Sequence, residues 1–261
     1  MSANVQTEHG SARPANAAAA PTTPEIPLVN PVEIILMLLA FAGGAFGAAV
    51  LLPAWLPGLS ASLLGETPKA YWYLARATGI VAYLLLWLSI VFGMVVSNKM
   101  ARLWNGGPTA VELHQFITWL AIAFSIFHAL ILLGDKYIRA SLMQVLTPFA
   151  YSGYEPFWVG IGQFGFYLTV IIASSFYLRK QIGYRAWRML HYGSFVLYLV
   201  LTLHGIFAGT DTTAPATMLM YFATALSVYF LLIVRIFDAI RVPRAMPHVR
   251  KSPPPSTTAA R

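Results

Sequence analysis

Four of the six histidines in this sequence stand inside apolar runs long enough to cross a bilayer. His114 and His128 belong to residues 112–134, His191 and His204 to residues 187–209. An ionisable side chain within a membrane span is costly, so it faces a partner in the bundle rather than lipid. Each run has one histidine near one end and another well inside it. That arrangement suggests two stacked sites, each made by one histidine from each helix. The chemistry implied is that of a membrane cytochrome with two b-type haems, His114 and His191 flanking one iron and His128 and His204 the other.

His114 and His128 are 14 residues apart, a rise of about 21 Å, and on a straight helix they fall within about 40° of the same face. Thr118, Ala121 and Ser125 lie between them on that face, whereas Phe116, Leu120 and Phe127 lie roughly opposite. A face of small residues bracketed by two histidines leaves room for flat macrocycles. The second run is less regular. His191 and His204 are 13 residues apart, which turns the second ring about 140° from the first. Gly205 takes the same-face position instead. Helix tilt, overwinding or laterally offset haems would reconcile the two.

The composition fixes the class. Of 261 residues, 58% are hydrophobic and only 10% charged, with a mean hydropathy of +0.66. Such a chain is an integral membrane protein whose spans use nearly all of the ordered sequence. The net charge of +8 is therefore a clue to orientation rather than to nucleic acid, and no nucleic-acid partner is expected. Cysteine is absent, which excludes disulfides, cysteine-ligated iron–sulfur clusters and covalent c-type haem attachment. Any haem must be held by side-chain ligation and packing.

The elements that position the histidines are six apolar spans at about 32–54, 71–97, 112–134, 157–178, 187–209 and 216–238. They form an all-α, six-helix transmembrane bundle over residues 31–240, with the haem sites between spans three and five. Residues 1–30 read as a disordered tail and 241–261 as a basic flexible one. Gly43 and Gly47 in span one have small-xxx-small spacing, which favours close packing. Trp55, Trp72, Trp104, Trp158 and Trp187 sit near span ends, as an aromatic belt requires. Six spans put both termini on one side. That side collects 13 of the 17 Lys and Arg residues, against 4 (Lys69, Arg76, Lys136 and Arg139) on the other, so the termini are expected to be cytoplasmic in a multi-pass cell-membrane protein. His114 and His191 then lie near the cytoplasmic face, and His128 and His204 nearer the outer one. His9 and His248 fall in the tails and are incidental.

Hydrogen bonding between helices is the ordinary role of a single membrane histidine, but four in two level-matched pairs favour a shared ligand. A histidine-lined transition-metal transporter is the alternative. Such a pathway usually needs carboxylates within the membrane, whereas Glu66, Glu112, Asp135, Glu155, Asp211 and Asp238 all stand at span ends or in loops.

Spans two to six, residues 70–240, resemble the ferric reductase-like transmembrane domain. That domain is shared by ferric reductases, the membrane half of NADPH oxidases and the haem subunit of methionine sulfoxide reductase systems. The matching residues are Leu74-Ala-Arg76-Ala-Thr-Gly79, His114 with Trp119 and His128, and Trp187-x-x-x-His191 with His204-Gly205. Spacings of 14 and then 13 between the histidines are that domain's pattern. The resemblance implies an oxidoreductase component that carries electrons across the membrane. Its cofactors would be two b haems, an inner one on His114 and His191 and an outer one on His128 and His204. Arg76 is at the outer level, where its guanidinium suits a haem carboxylate; Arg185 and Arg188 are weaker candidates for the inner haem. After span six comes no glycine-rich nucleotide motif, so the electron donor is expected to be a separate flavoprotein carrying the flavin, or membrane quinol. The acceptor at the outer face would be ferric iron, oxygen or a partner protein. The long outer loop, 137–158, is the natural cover over the outer haem.

Overall fold

The computed structural model describes residues 30–55, 70–97 and 107–241, all helices and connecting turns, with no strand among them. The tails with His9 and His248, and also Glu66, Lys69, Lys99, Arg102 and Trp104, lie outside the described residues. Among the described residues six long helices are apolar enough to cross a membrane: α1 (Pro31–Trp55), α2 (Ala70–Ser97), α3 (Gly107–Ile131), α5 (Pro156–Ile182), α6 (Tyr184–Ala208) and α7 (Pro215–Arg241). A short helix, α4 (Leu142–Leu146), lies in the loop after α3. The protein is a multi-pass, all-helical membrane protein. Arg241, assigned to the tail from sequence, is instead the last residue of α7.

Many bulky apolar side chains point outward, and small or hydroxyl side chains take much of the space between helices. Phe116, Phe164, Val196, Phe222 and Phe230 are exposed, as lipid-facing residues are. Ala75, Thr78, Ala82, Ser89, Thr169, Ser175 and Thr202 are buried between helices, where small residues allow close approach. Three of the buried hydroxyls bond back to their own helix, Thr78 donating to the Leu74 carbonyl at 2.6 Å, Thr169 to Gly165 at 2.8 Å and Thr202 to Tyr198 at 2.7 Å. Away from water, such back-bonding avoids leaving a polar group unpaired.

Two antiparallel pairs, α2 with α3 and α5 with α6, make up most of the bundle, and α7 closes against α2. Tyr83, Leu86, Ile90, Met94, Tyr198 and Val228 form the core where α2, α6 and α7 meet. There Tyr83 hydrogen-bonds Tyr198 at 2.9 Å and Thr224 at 2.7 Å. Helix α1 is peripheral, touching α3 through Phe41, whose ring meets Phe124 at 4.9 Å and Phe127 at 6.2 Å.

The sequence reading separates spans four and five by several residues, but the helices run to within one residue of each other. Gly183 alone divides them, at φ 85° and ψ 145°, a backbone conformation that glycine enters without steric cost. Arg179 and Lys180 in the last turn of α5 complement its dipole there.

Two histidine pairs and the cavity between the helices

The alternation of the spans gives the bundle a tail side, where α1 begins and α7 ends, and a loop side, which carries residues 132–155. His114 and His191 face each other toward the tail side, with ring centres 6.1 Å apart and ring planes at 78°. His128 and His204 face each other toward the loop side, at 6.4 Å and 79°. Each pair joins α3 to α6, matching the level pairing expected from sequence.

Three of the four rings are held by backbone. His114 Nδ1 lies 2.8 Å from the Ser89 carbonyl oxygen, His128 Nδ1 2.7 Å from that of Ala75, and His204 Nδ1 2.7 Å from that of Trp158. A carbonyl only accepts, so each Nδ1 carries the proton and donates it, leaving Nε2 with a free lone pair. The Ser89 hydroxyl adds a contact to His114 Nδ1 at 3.2 Å and one to Thr118 at 2.6 Å. His191 differs: its Nδ1 is buried with no partner, as is Nε1 of Trp187. The Trp187 ring stacks on His191 at 5.3 Å.

Around the loop-side pair opens a cavity of about 490 Å³, within the size range of cofactor sites. Gly79, Ser125, His128, Gly162, His204 and Gly205 line its depth. The loop after α3 closes one side through Ile138, Val145, Tyr151 and Tyr154. That loop is built to stay in place. Asp135 caps the amides of Tyr137 and Ile138 at 2.7 and 3.0 Å. Gln163 of α5 donates to the carbonyls of Gln144 and Val145 at 2.6 and 2.9 Å and accepts from the Phe149 amide at 3.2 Å. The expected cover is thus a wall of the cavity.

Arg76 also lines this cavity, with Nε buried and unpartnered. The structure adds a partner that the sequence reading did not assign: Asp211, in the turn between α6 and α7, forms an ion pair with Arg76. Arg188 is instead exposed, reaching the Tyr184 hydroxyl at 3.4 Å, and Arg179 lies over the Phe176 ring at 3.9 Å. Among the described residues no group of three or more His, Cys, Asp and Glu gathers.

Fold and site together define a helical multi-pass membrane protein with two interhelical histidine pairs. The sequence model of the family described as "Ferric reductase like transmembrane component" matches residues 78–202, so this part of the chain is similar to that family. The match takes in His114, His128 and His191 and stops two residues short of His204. No curated protein and no solved structure matches the chain. The family points to electron transfer across a membrane and to haem as its usual cofactor.

The residues fit that group. Two metal–imidazole bonds of about 2.0–2.1 Å, with about 1.1 Å from each nitrogen to its ring centre, put the ring centres about 6.3 Å apart. The observed 6.1 and 6.4 Å bracket this value. Two nitrogen ligands without further side-chain donors suit an iron whose other positions a macrocycle fills.

Proposed function

We propose that the chain carries electrons across the membrane through two b-type haems, one held by His114 and His191 and the other by His128 and His204. The observation that supports the reading most strongly is the ring separation of the two pairs, each at the length an iron between imidazoles requires. Haem bound at each pair supplies a reversible one-electron iron couple.

The protein's own residues prepare both places. The carbonyls of Ser89, Ala75 and Trp158 fix the tautomer and aim of three ligands. Tyr83, Leu86 and Tyr198 pack in the apolar core where α2, α6 and α7 meet, and Tyr83 and Leu86 also line the cavity. Arg76, poised by Asp211, offers its buried Nε to a carboxylate at the loop side. The loop tied down by Gln163 shields that side from bulk water.

In this proposal the tail side is cytoplasmic, following the excess of Lys and Arg there. A separate flavoprotein or membrane quinol delivers electrons at His114 and His191, close to basic Arg179, Lys180, Arg185 and Arg188. The acceptor, whether ferric iron, oxygen or a partner protein, meets the loop side. Pyridine haemochrome analysis of the purified protein should give about two b haems per chain. A colourless preparation from haem-supplied cells would reject the cytochrome reading and return the metal-transport alternative.

A further inference from the structure

The three backbone-held histidines share a second feature, which lies on the helices that hold them. A Cβ added at Gly79 would meet His128 Nδ1 and Cε1 at 3.0 Å, and one at Gly93 would meet His114 Cε1 at 3.2 Å. A Cβ at Gly162 would overlap the His204 ring. The accepting carbonyls belong to Ala75, Ser89 and Trp158. In every case the glycine stands four residues after the carbonyl residue (75 and 79, 89 and 93, 158 and 162).

The offset has a geometric reason. In an α-helix the carbonyl of residue i points along the axis to the amide of i+4, so the side chain at i+4 stands over that carbonyl. A histidine from another helix reaches the second lone pair of the same oxygen only if its ring occupies the space above residue i+4. Any Cβ there holds the ring off. His191 supplies the contrast: its Nδ1 has no carbonyl partner, and no described glycine has its Cβ position against the His191 ring.

We infer that Gly79, Gly93 and Gly162 are positioning residues, each opening a notch through which a helix carbonyl fixes the Nδ1 proton and the ring angle of one haem-ligating histidine. The inference rests on the two-haem reading above. It assigns each notch to one site, Gly93 to the tail-side pair and Gly79 and Gly162 to the loop-side pair. Alanine is the better helix former, so a purely structural view expects Gly→Ala to be neutral or favourable away from a close contact.

The test is low-temperature electron paramagnetic resonance of the ferric protein, with redox titration of each haem, for Gly79→Ala, Gly93→Ala, Gly162→Ala and the control Gly165→Ala. At Gly165 an added Cβ would press on Leu201 at 2.6 Å, which is tighter packing than at Gly79 or Gly93 but against no histidine. Gly79→Ala and Gly162→Ala should each move the maximum g-value and potential of the His128/His204 haem, or empty that site, and leave the other signal alone. Gly93→Ala should do the same to the His114/His191 haem, with the smallest shift because its contact is the loosest. Gly165→Ala should retain both wild-type signals. If Gly162→Ala does not fold, Gly79→Ala and Gly93→Ala decide the matter. Unchanged g-values and potentials in those two, or equal loss of both haems in all four variants, would overturn the inference. Wild-type protein without two low-spin haem signals would instead reject the haem reading itself.

Discussion

The α2–α3 half of the bundle and the α5–α6 half hold their histidines in different ways. On α2 the two accepting carbonyls, Ala75 and Ser89, are 14 residues apart, and so are His114 and His128 on α3. Antiparallel helices with the same repeat stay in step, so both rings rest on α2 in the same manner. On α6 the spacing is 13, which rotates His204 about 140° from His191. His204 turns onto α5 and finds the Trp158 carbonyl; His191 does not. Fourteen residues beyond Trp158 and Gly162 stand Ile172 and Phe176. The Ile172 carbonyl already accepts from Ser175 at 2.6 Å, and the Phe176 ring packs on Trp187 at 6.0 Å. One half is therefore a symmetric template, and the other holds one anchored and one unanchored histidine. The consequence is that the loop-side pair is fixed from both helices and the tail-side pair from one.

The largest effects should come from the ligands. His128→Ala and His204→Ala are each expected to remove the same one of about two haems, and His114→Ala and His191→Ala the other, counted by haemochrome and reduced difference spectra. If His114→Ala and His204→Ala lost the same component, the pairing by level would fail.

Next comes the anchoring difference. Losing a hydrogen-bond partner behind a metal-bound histidine typically costs about 10–100-fold in metal affinity. The tail-side haem, with His191 unanchored, should therefore transfer to excess apomyoglobin about 10–100-fold faster than the loop-side haem. Two equal rates would erase the distinction between the halves.

Smaller shifts are expected from the Arg76–Asp211 pair. Removing a positive charge disfavours an added electron, so Arg76→Ala should lower the potential of the loop-side haem. Asp211→Asn should raise it, each by on the order of tens of millivolts. The tail-side haem should change far less. The same sign from both substitutions would contradict the charge argument.

The smallest effect concerns the loop. Gln163→Leu removes the acceptor for the Phe149 amide and the donor to two carbonyls. Exchange of the Phe149 amide should accelerate roughly tenfold, about the worth of one to two hydrogen bonds, while both potentials hold.

The spans and the pairing were legible in the sequence because each depends on one strong regularity: unbroken apolar length for the helices, and depth of the histidines for the pairs. Gly183 escaped because a single-residue break between two apolar helices leaves no polar linker to read. The Arg76–Asp211 pair escaped because it joins residues 135 positions apart in sequence, and nothing local couples them. The carbonyl anchors have no side-chain signature at all. A signal for them did exist: Gly79 and Gly93 repeat at the same 14-residue interval as His114 and His128. The awkward 13-residue spacing, in turn, carried real information, since it marks the half where one histidine goes unanchored.

The central claim, that electrons cross the membrane by way of both pairs, is tested most directly in sealed liposomes. The haem-loaded protein is reconstituted with dithionite trapped inside and ferricyanide outside, neither of which crosses the bilayer, and bleaching of ferricyanide is followed. Wild-type protein should bleach ferricyanide well above empty liposomes. His114→Ala, which keeps the loop-side haem, should fall to the empty-liposome rate. Wild-type protein that holds both haems but bleaches no faster than empty liposomes would contradict the account, as would a His114→Ala variant as fast as wild type.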